Sequence, residues 1–202
     1  MAEELSFRDL LSPHASAEEL DRLLRFASLL ERWSSRHSLV SWKSREELVH
    51  RHFLDALAAR DFLAGRGALL DVGSGAGLPG IPLLAANPGW TGVLLEPRQK
   101  RWAFLRLAVR ELELRAVVRR VRFQDDGGEG GPFQLITVRA LGGYEELLAW
   151  SRPHLAEGGR VLVWGTDQVE EELSKLPRWR VLSSPLPNSD RGRLVQLERC
   201  FT

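Results

Sequence analysis

The feature that most constrains the fold is a short apolar run that ends in a carboxylate and continues into closely spaced glycines. Residues 68–70 are apolar, and Asp71 follows them directly. A strand that runs into a glycine-rich turn lets the backbone of an α/β sheet approach a nucleotide-like ligand, because a Cβ would obstruct both the tight turn and the close approach. The sequence therefore predicts an α/β fold with a nucleotide-type site directly after its first strand. The glycines concerned are Gly73, Gly75, Gly77 and Gly80.

Composition limits the class of protein. The chain has 202 residues, of which 44% are hydrophobic, enough for one sizeable domain or for a domain with an extension. No apolar run approaches the ~18 residues that a membrane span needs, and the acidic N-terminus does not resemble a secretory signal. Cys200 is the only cysteine, which excludes a disulfide framework and a cysteine-based metal cluster. We expect a cytoplasmic protein with no membrane partner.

The first third of the chain is predicted to be helical. Ser16 and Glu19 have the spacing of a capping box, and apolar residues at helical intervals follow them. Ser44 and Glu47 repeat the capping pattern ahead of a second helix. Helices with apolar stripes need a surface to dock on, so we expect this segment to pack on the rest of the chain.

The chain divides into a helical extension at residues 1–66 and a main domain at residues 67–202, in which strand and helix patterns alternate. This alternation favours a parallel sheet covered on both faces, and two final strands with no helix between them favour an antiparallel hairpin at the sheet edge. The expected fold is therefore a seven-stranded mixed sheet with helices on both faces. The predicted strands are 68–72, 91–96, 118–123, 133–139, 160–164, 179–184 and 194–200. The predicted helices of the main domain are 79–86, 98–114, 144–155 and 166–176.

The glycine-rich turn satisfies two cofactor patterns. Residues 75–80 fit the dinucleotide pattern G-x-G-x-x-G, and residues 71–77 fit the pattern D-x-G-x-G-x-G that is associated with S-adenosylmethionine. Glu96 ends the next predicted strand, where a carboxylate can accept hydrogen bonds from both ribose hydroxyls of either cofactor. The order of strand, glycines, helix and acid favours a cofactor site over a structural turn, and it leaves both cofactors open.

Basic residues gather in one stretch of a chain whose net charge is only +1. Residues 97–122 contain nine basic residues and two acids. Such a strip either binds a polyanion or forms the solvated face of a helix in an arginine-rich chain. Charge alone slightly favours the solvated face.

The remaining polar residues indicate neither a metal site nor covalent catalysis. His50 and His52 are two residues apart and so lie on different faces of a helix, which favours roles in packing or capping. Cys200 is far in sequence from the glycines, and no Ser-His-Asp arrangement stands out. Arg139 ends a predicted strand, where ligands of α/β sheets bind, and it is either a site residue or a member of a surface ion pair.

Several motifs, taken together, are similar to those of one family. They are the glycine-rich segment Asp-Val-Gly-Ser-Gly-Ala-Gly-Leu-Pro-Gly-Ile-Pro-Leu at residues 71–83, Arg-His-x-x-Asp at residues 51–55, Glu96 followed by Lys-Arg-x-x-Phe-Leu at residues 100–105, Val-Arg-Ala at residues 138–140, and Trp33. In this order they resemble the RsmG (GidB) family of bacterial 16S rRNA guanine-N7 methyltransferases. The glycine-rich segment is the most specific part of the resemblance.

The resemblance implies a Rossmann-like class I methyltransferase fold, S-adenosylmethionine as cofactor, and methylation of N7 of guanine 527 in 16S rRNA. The implied partner is 16S rRNA or the small ribosomal subunit, and we expect a monomer without a metal. The implied cofactor contacts are Asp71, Gly73, Gly75, Leu78, Glu96, Gln124, Asp125 and Arg139. Arg139 is also the expected catalytic residue at the mouth of the site. The implied RNA contacts are Lys100, Arg101 and Arg122.

This chemistry needs little from the protein beyond orientation. Guanine N7 has an in-plane lone pair and carries no proton, so its methylation requires alignment with the methyl donor rather than a general base. The lack of an obvious acid–base pair in the sequence agrees with this. Because the methylated purine is cationic, we expect Arg139 to act on phosphate, on guanine O6 or on the cofactor carboxylate rather than on N7.

The chain departs from the family pattern at three positions. Ser38, Phe123 and Trp164 stand where the family has asparagine, arginine and lysine. We expect Trp164 to be a packing residue rather than a surface on which a base stacks. These departures affect the RNA contacts and the choice of RNA target, and they leave the cofactor site largely intact. The alternatives are a small-molecule methyltransferase of the same fold, a non-catalytic RNA-binding relative, and a NAD-dependent enzyme that uses residues 75–80 and Glu96.

Overall fold

Seven strands form one mixed sheet in the computed structural model, which describes residues 5–37 and 39–200. The strands are β1 (Gly67–Val72), β2 (Trp90–Leu95), β3 (Ala116–Arg119), β4 (Phe133–Arg139), β5 (Leu155–Thr166), β6 (Trp179–Pro185) and β7 (Gly192–Arg199). Their order across the sheet is β3-β2-β1-β4-β5-β7-β6. Strands β1 to β5 pair in parallel, whereas β7 is antiparallel to both β5 and β6. The seven-stranded mixed sheet and its closing hairpin are therefore confirmed.

Helices cover both faces of the sheet. They are α1 (Phe7–Leu11), α2 (Ala17–His37), α3 (Arg45–Leu48), α4 (Asp55–Leu57), α5 (Gly80–Ala86), α6 (Gln99–Glu111), α7 (Tyr144–His154) and α8 (Asp167–Ser174). A π-helical segment, Val49–Leu54, joins α3 to α4. No helix in the described part of the chain is long and apolar enough to span a membrane.

The strand period decides which helices lie on each face. Alternate side chains of a strand point to opposite faces, so neighbouring residues of β1 enter different cores. Leu70 and Val72 pack with residues of α7 and α8. Leu69 packs on the other face with Leu83 and Leu84 of α5. The main sheet is thus buried on both sides, as a parallel sheet requires.

The N-terminal helices pack against α5 and α6 rather than against one another alone. The Phe26 ring of α2 lies 6.3 Å from the ring of Phe104 on α6 and 5.4 Å from that of Phe53. Arg22 Nε donates a hydrogen bond of 2.7 Å to the Ala85 carbonyl on α5. One hydrophobic core therefore joins α2 to the main domain. The division of the chain between residues 66 and 67 stays a prediction.

Both helix starts predicted from capping patterns are present, but one of the four capping hydrogen bonds has a different donor from the one expected. Ser16 and Glu19 exchange both capping hydrogen bonds, of 2.7 and 3.4 Å. Ser44 Oγ accepts from Glu47 N, but the Glu47 carboxylate accepts from the amide of Lys43 instead of that of Ser44. The second helix is also not a regular α-helix, because its middle adopts the π form.

Strand β3 is shorter than predicted and begins earlier. The predicted strand covered residues 118–123, whereas β3 spans Ala116–Arg119. Strand β3 is an edge strand whose only ladder is with β2, and that ladder ends where Leu95 pairs with Arg119. The apolar residues beyond Arg119 have no neighbouring strand, so they turn toward the carboxyl edge of the sheet. Phe123–Asp125 forms a 3₁₀ turn there.

Candidate active site

The glycine-rich turn leaves β1 through three residues in the left-handed region. Gly73, Gly75 and Gly77 have φ of +70°, +58° and +84°. Glycine adopts these angles without the steric cost that a side chain brings. At Gly77 space is also limiting, because an added Cβ would lie 2.5 Å from Cγ1 of Ile81. The Gly77 amide donates to the Ser74 carbonyl over 2.7 Å, which closes the turn.

Asp71 lies beneath the turn and supports it from inside the protein. Its carboxylate is buried, and Oδ1 accepts a hydrogen bond of 2.7 Å from Thr137 Oγ1 on β4. An added Cβ on Gly80 would lie 2.7 Å from the other carboxylate oxygen, so the start of α5 packs directly on Asp71. Burial raises the pKa of Asp71 to about 6, although the hydrogen bond from Thr137 opposes this rise. Asp71 lines neither of the two cavities described below, and its contact with the cofactor stays a prediction.

Folding stability is expected to fall as pH rises from about 4 to about 6. The folded chain keeps a proton on Asp71 up to a pH of about 6, whereas the ordinary pKa of an aspartate in an unfolded chain is 3.8. The contribution of the protonated Asp71 to the free energy of unfolding is complete below pH 3.8 and is lost as pH rises through 6. This contribution is about 3 kcal/mol. Urea titrations of Asp71→Asn should give a flatter pH profile than the wild type, while exposed Asp61→Asn keeps the wild-type slope. Parallel profiles for Asp71→Asn and the wild type would contradict this assignment.

Glu96 joins the glycine-rich turn to the start of α6. The residue follows β2 directly and is 3% exposed. Oε2 accepts a hydrogen bond of 3.0 Å from the Gly75 amide, and Oε1 accepts one of 2.8 Å from the Arg98 amide. Each carboxylate oxygen has a second lone pair, so Glu96 can hold the turn and still accept hydrogen bonds from a ligand.

A cavity of about 470 Å³ opens at the carboxyl ends of β1 and β2, and we refer to it as the glycine-loop cavity. Gly73 and Gln124, two of the predicted cofactor residues, line it, as does Arg122 from the predicted RNA contacts. Its full lining is Val72, Gly73, Leu95, Pro97, Arg98, Val121, Arg122, Phe123, Gln124, Leu141, Gly142 and Glu146. Glu96 lies between two of these residues in the chain. The walls are thus mostly apolar, with a few polar groups at the rim.

Six of the eight predicted cofactor residues lie outside this lining, namely Asp71, Gly75 and Glu96 described above, Arg139 described below, Leu78 and Asp125. Leu78 is buried in the core that α2 shares with α5 and α6. Asp125 is exposed at the end of its 3₁₀ turn. Phe123, one of the departures from the family pattern, is a wall residue of the cavity, and its ring packs edge-on against Trp150 at 5.5 Å. Contacts of Leu78 and Asp125 with a cofactor stay predictions.

Arg139 ends β4 and points into a different cavity. Its Nη2 donates a hydrogen bond of 2.8 Å to the Arg51 carbonyl and lies 3.1 Å from Nδ1 of His52. Both partners belong to the π-helical segment, whose widened turn presents this carbonyl to a neighbour. Nη1 is buried and has no hydrogen-bond partner among the described residues. One arm of the guanidinium is therefore fixed, and the other is unpaired.

His52 is neutral and acts as a hydrogen-bond acceptor toward Arg139. Burial and, after it, the nearby charge of Arg139 together lower the pKa of His52 to about 4. A guanidinium only donates, so Nδ1 accepts and the ring proton is on Nε2. The sequence predicted a packing or capping role for this histidine, whereas in the structure it helps to orient the Arg139 side chain through a hydrogen bond.

A second cavity, of about 310 Å³, lies between the N-terminal helices and the carboxyl ends of β4 and β5. Asp55, 3% exposed, contributes a buried Oδ1 without a hydrogen-bond partner among the described residues. Trp164 Nε1 donates a hydrogen bond of 2.7 Å to the Asp55 carbonyl, and the indole is buried. The full lining is Ser41, Glu47, Arg51, His52, Asp55, Arg139, Trp164, Gly165, Thr166, Leu186, Ser189 and Gly192. Asp55 carried no site role in the sequence prediction, although the Arg-His-x-x-Asp pattern contains it.

The residues of the basic strip have different surroundings. Arg119 is committed to structure, with ion pairs of 2.9 Å to Asp126 and 3.4 Å to Glu129. Lys100 is exposed at the start of α6. Arg101 is half-buried, and its guanidinium lies 3.7 Å from the Cβ position of Gly75. Of the three predicted RNA contacts, Arg122 thus lines the glycine-loop cavity, Arg101 lies beside the glycine-rich turn, and Lys100 is exposed on the first turn of α6; their contacts with RNA stay predictions.

The departure at Ser38 falls outside the described residues. No group of three or more histidine, cysteine, aspartate or glutamate residues that could hold a metal ion occurs in residues 5–37 and 39–200. The candidate site is therefore built from two neighbouring cavities at the carboxyl edge of the sheet, with Arg139 at the end of the strand between them. This edge is where open α/β sheets bind ligands.

Solved methyltransferase structures share this architecture. A methyltransferase from Geobacter sulfurreducens is similar with a TM-score of 0.62 and 14% identity, over 87% of this chain and 90% of that one. The precorrin-6y C5,15-methyltransferase of Geobacter metallireducens is similar with a TM-score of 0.60 and 14% identity, over 81% of this chain and 92% of that one. At such identities the likeness shows the fold, and the Rossmann-like methyltransferase fold is confirmed.

Sequence relatives give the family. The ribosomal RNA small subunit methyltransferase G of Alkalilimnicola ehrlichii is 40% identical over 173 residues, which cover 84% of this chain and 75% of that protein. The protein of the same name from Gluconobacter oxydans is 36% identical over 182 residues, which cover 89% of this chain and 93% of that protein. The sequence model of the GidB family, described as rRNA small subunit methyltransferase G, matches residues 19–186, a range that holds most of both cavities. The chain belongs to the GidB family of rRNA small subunit methyltransferases, as the resemblance of its motifs predicted.

Proposed function

We propose that this protein transfers a methyl group from S-adenosylmethionine to N7 of guanine 527 in the 16S rRNA of the small ribosomal subunit. The observation that carries the proposal is the glycine-rich turn, which Glu96 holds through the Gly75 amide and whose Gly73 lines the glycine-loop cavity. Family membership supports methyl transfer over hydride transfer, and the names of the relatives support an rRNA substrate.

The residues around the glycine-loop cavity fit this cofactor. Glu96 would accept hydrogen bonds from the ribose hydroxyls, and the bare backbone at Gly73 admits the ligand to the end of β1. The apolar side chains of Leu95 and Phe123, with the Gln124 amide, would hold the adenine. When bound, the cofactor supplies an electrophilic methyl group on a sulfonium ion. Apolar walls with a few convergent polar groups are typical of such sites.

The protein then has to present the base. Guanine N7 needs no deprotonation, so the chain supplies orientation and a dry environment rather than a general base. A base in structured RNA has to leave its stack to enter an enzyme cavity. We assign this orienting role to Arg139, because the π-helical segment fixes its Nη2 while Nη1 has no partner among the described residues.

Exposed cations beside both cavities support an RNA partner. Arg98, Lys100 and Arg122 are exposed near the glycine-loop cavity, and Arg51 is exposed at the second cavity. Phosphate contacts of this kind position RNA without reading its sequence. We further propose that the enzyme acts as a monomer in the cytoplasm.

Binding of S-adenosylhomocysteine and methyl transfer to small subunits are expected together. At about 100 times its dissociation constant, S-adenosylhomocysteine should stabilise the protein by about 2.7 kcal/mol in thermal unfolding, whereas NAD should give no shift. Small subunits from cells that lack the gene should gain one N7-methylguanosine when incubated with the protein and S-adenosylmethionine, as measured by mass spectrometry of nucleosides. A shift with NAD alone, or a methyl group at another atom, would contradict the proposal.

A further inference from the structure

Two residues that line the second cavity each carry a buried polar atom that the described part of the protein leaves unpaired. Arg139 Nη1 is a donor and Asp55 Oδ1 is an acceptor, and neither has a hydrogen-bond partner among the described residues. A buried polar group without a partner costs free energy, so such a pair in one cavity indicates a ligand with complementary groups. At about 310 Å³ the cavity lies at the lower end of the range for small ligands, ~300–1,000 Å³.

We propose that the second cavity is a guanine-selective base pocket, in which Asp55 accepts hydrogen bonds from guanine N1–H and N2–H and Arg139 Nη1 donates to guanine O6. This inference rests on the proposed function and assigns the groups that select the base. Asp55 becomes a specificity-determining residue, which the mechanism above does not use.

The order of groups along the sheet edge matches the order of groups along guanine. The glycine-loop cavity lies at the ends of β2 and β1, and Arg139 ends the next strand, β4. On the far side, at β5, Trp164 donates a hydrogen bond to the main-chain carbonyl of Asp55. In register, Val138 pairs with Val72, and Arg139 pairs with Trp164. Guanine carries N7, O6, N1 and N2 in sequence around one side. A base with N7 toward the glycine-loop cavity therefore presents O6 to Arg139 and its N–H groups to Asp55.

Other bases do not complement this pair. Adenine would turn its N6 amino group toward the Arg139 donor and the lone pair of N1 toward the carboxylate of Asp55. Uracil offers one N–H, but the O2 beside it would lie against the carboxylate. Because Oδ1 of Asp55 and Nη1 of Arg139 are buried, a base with the wrong donors and acceptors leaves both atoms without hydrogen-bond partners. Polar pockets reject analogues strongly for this reason.

The surrounding charges are consistent with an anionic acceptor beside the base. Burial raises the pKa of Asp55, while the nearby charge of Arg139 is the largest influence that opposes this rise. Glu47, also in the lining, is 3.2 Å from Arg51 in an ion pair, and His52 is neutral. Methylation at N7 makes the purine cationic and its N1–H more acidic, so the contact with Asp55 strengthens along the reaction and favours the transition state.

Inosine tests the pocket, because it differs from guanosine only by the missing N2 amino group. Small subunits assembled from ligated 16S rRNA would carry guanosine or inosine at position 527. Single-turnover methyl transfer by the wild type should be at least 10-fold faster for guanosine. In Asp55→Ala this ratio should fall to about one, whereas the exposed control Asp61→Ala keeps the wild-type ratio. A purely structural role of Asp55 would slow both substrates equally.

Each outcome decides the inference. The pocket is overturned if the wild type methylates guanosine and inosine at equal rates, or if Asp55→Ala keeps the wild-type ratio of guanosine to inosine rates. In either case, methyl transfer to guanosine still supports the proposed function. No transfer by the wild type to either subunit overturns both. The thermal shift with S-adenosylhomocysteine shows whether Asp55→Ala is folded. If it is not, Asp55→Asn replaces it, and its ratio should fall at least several-fold because the amide turns a donor toward the base.

Discussion

Replacing Glu96 with alanine is expected to weaken binding of S-adenosylhomocysteine by about 100-fold. The carboxylate does two things at once. It accepts hydrogen bonds from the amides of Gly75 and Arg98, which fix the glycine-rich turn. In the proposed function it also accepts hydrogen bonds from the ribose hydroxyls of the cofactor. Removing it takes away the acceptor of two part-buried amide hydrogen bonds and deletes the proposed charge-assisted hydrogen bonds to the ligand. Turnover at saturating cofactor should change less, because Glu96 lies at the turn and not at Arg139.

Isothermal titration of the variants measures this directly. Glu96→Gln keeps the shape and one acceptor oxygen, so its affinity should lie between those of the wild type and Glu96→Ala. The exposed Glu157→Ala, on the first residues of β5, is the matched control and should bind as the wild type does. If Glu96→Ala bound S-adenosylhomocysteine with wild-type affinity, the glycine-loop cavity would not be the cofactor site.

The parts of the fold that the sequence predicted are those governed by local patterns. The strand that enters the glycine-rich turn, the positive φ of Gly73 and Gly75, and the start of α2 at Ser16 all follow from residues close together in the chain. Local steric preference and capping act over a few residues, so a sequence displays them directly. The parallel body of the sheet and its antiparallel closing hairpin also follow, because strand–helix alternation and two final strands without a helix between them allow few arrangements, whereas the order of the strands was not predicted.

The parts that could not be predicted depend on contacts between distant segments. His52 meets Arg139, and Asp55 shares a cavity with it, only because the N-terminal helices dock at the carboxyl edge of the sheet. The π form of Val49–Leu54 has no signature in the residues themselves. From its place in the cofactor pattern Asp71 was predicted to contact the ligand, and that contact stays a prediction. In the structure the carboxylate of Asp71 is buried under the glycine-rich turn, where it accepts a hydrogen bond from the Thr137 hydroxyl.

Arg139→Ala should lower the rate of methyl transfer by about 100- to 1,000-fold while leaving the affinity for S-adenosylhomocysteine within a few-fold of the wild type. The reason is the position of the side chain. Arg139 lines the second cavity and not the glycine-loop cavity, and its Nη1 has no hydrogen-bond partner among the described residues. A contact with the cofactor carboxylate was the alternative expectation for this residue, and it predicts that affinity and rate fall together.

Arg139→Lys separates charge from geometry. One guanidinium can donate to the Arg51 carbonyl and the His52 ring through Nη2 while Nη1 stays directed at a ligand, whereas a single ammonium on a flexible stem cannot hold both ends. We therefore expect the lysine variant to recover little of the lost rate. Arg66→Ala, exposed at the amino end of β1, is the control and should keep the wild-type rate and affinity. Unchanged turnover in Arg139→Ala would remove Arg139 from the mechanism, and full rescue by lysine would mean that charge alone, without the fixed fork, orients the base.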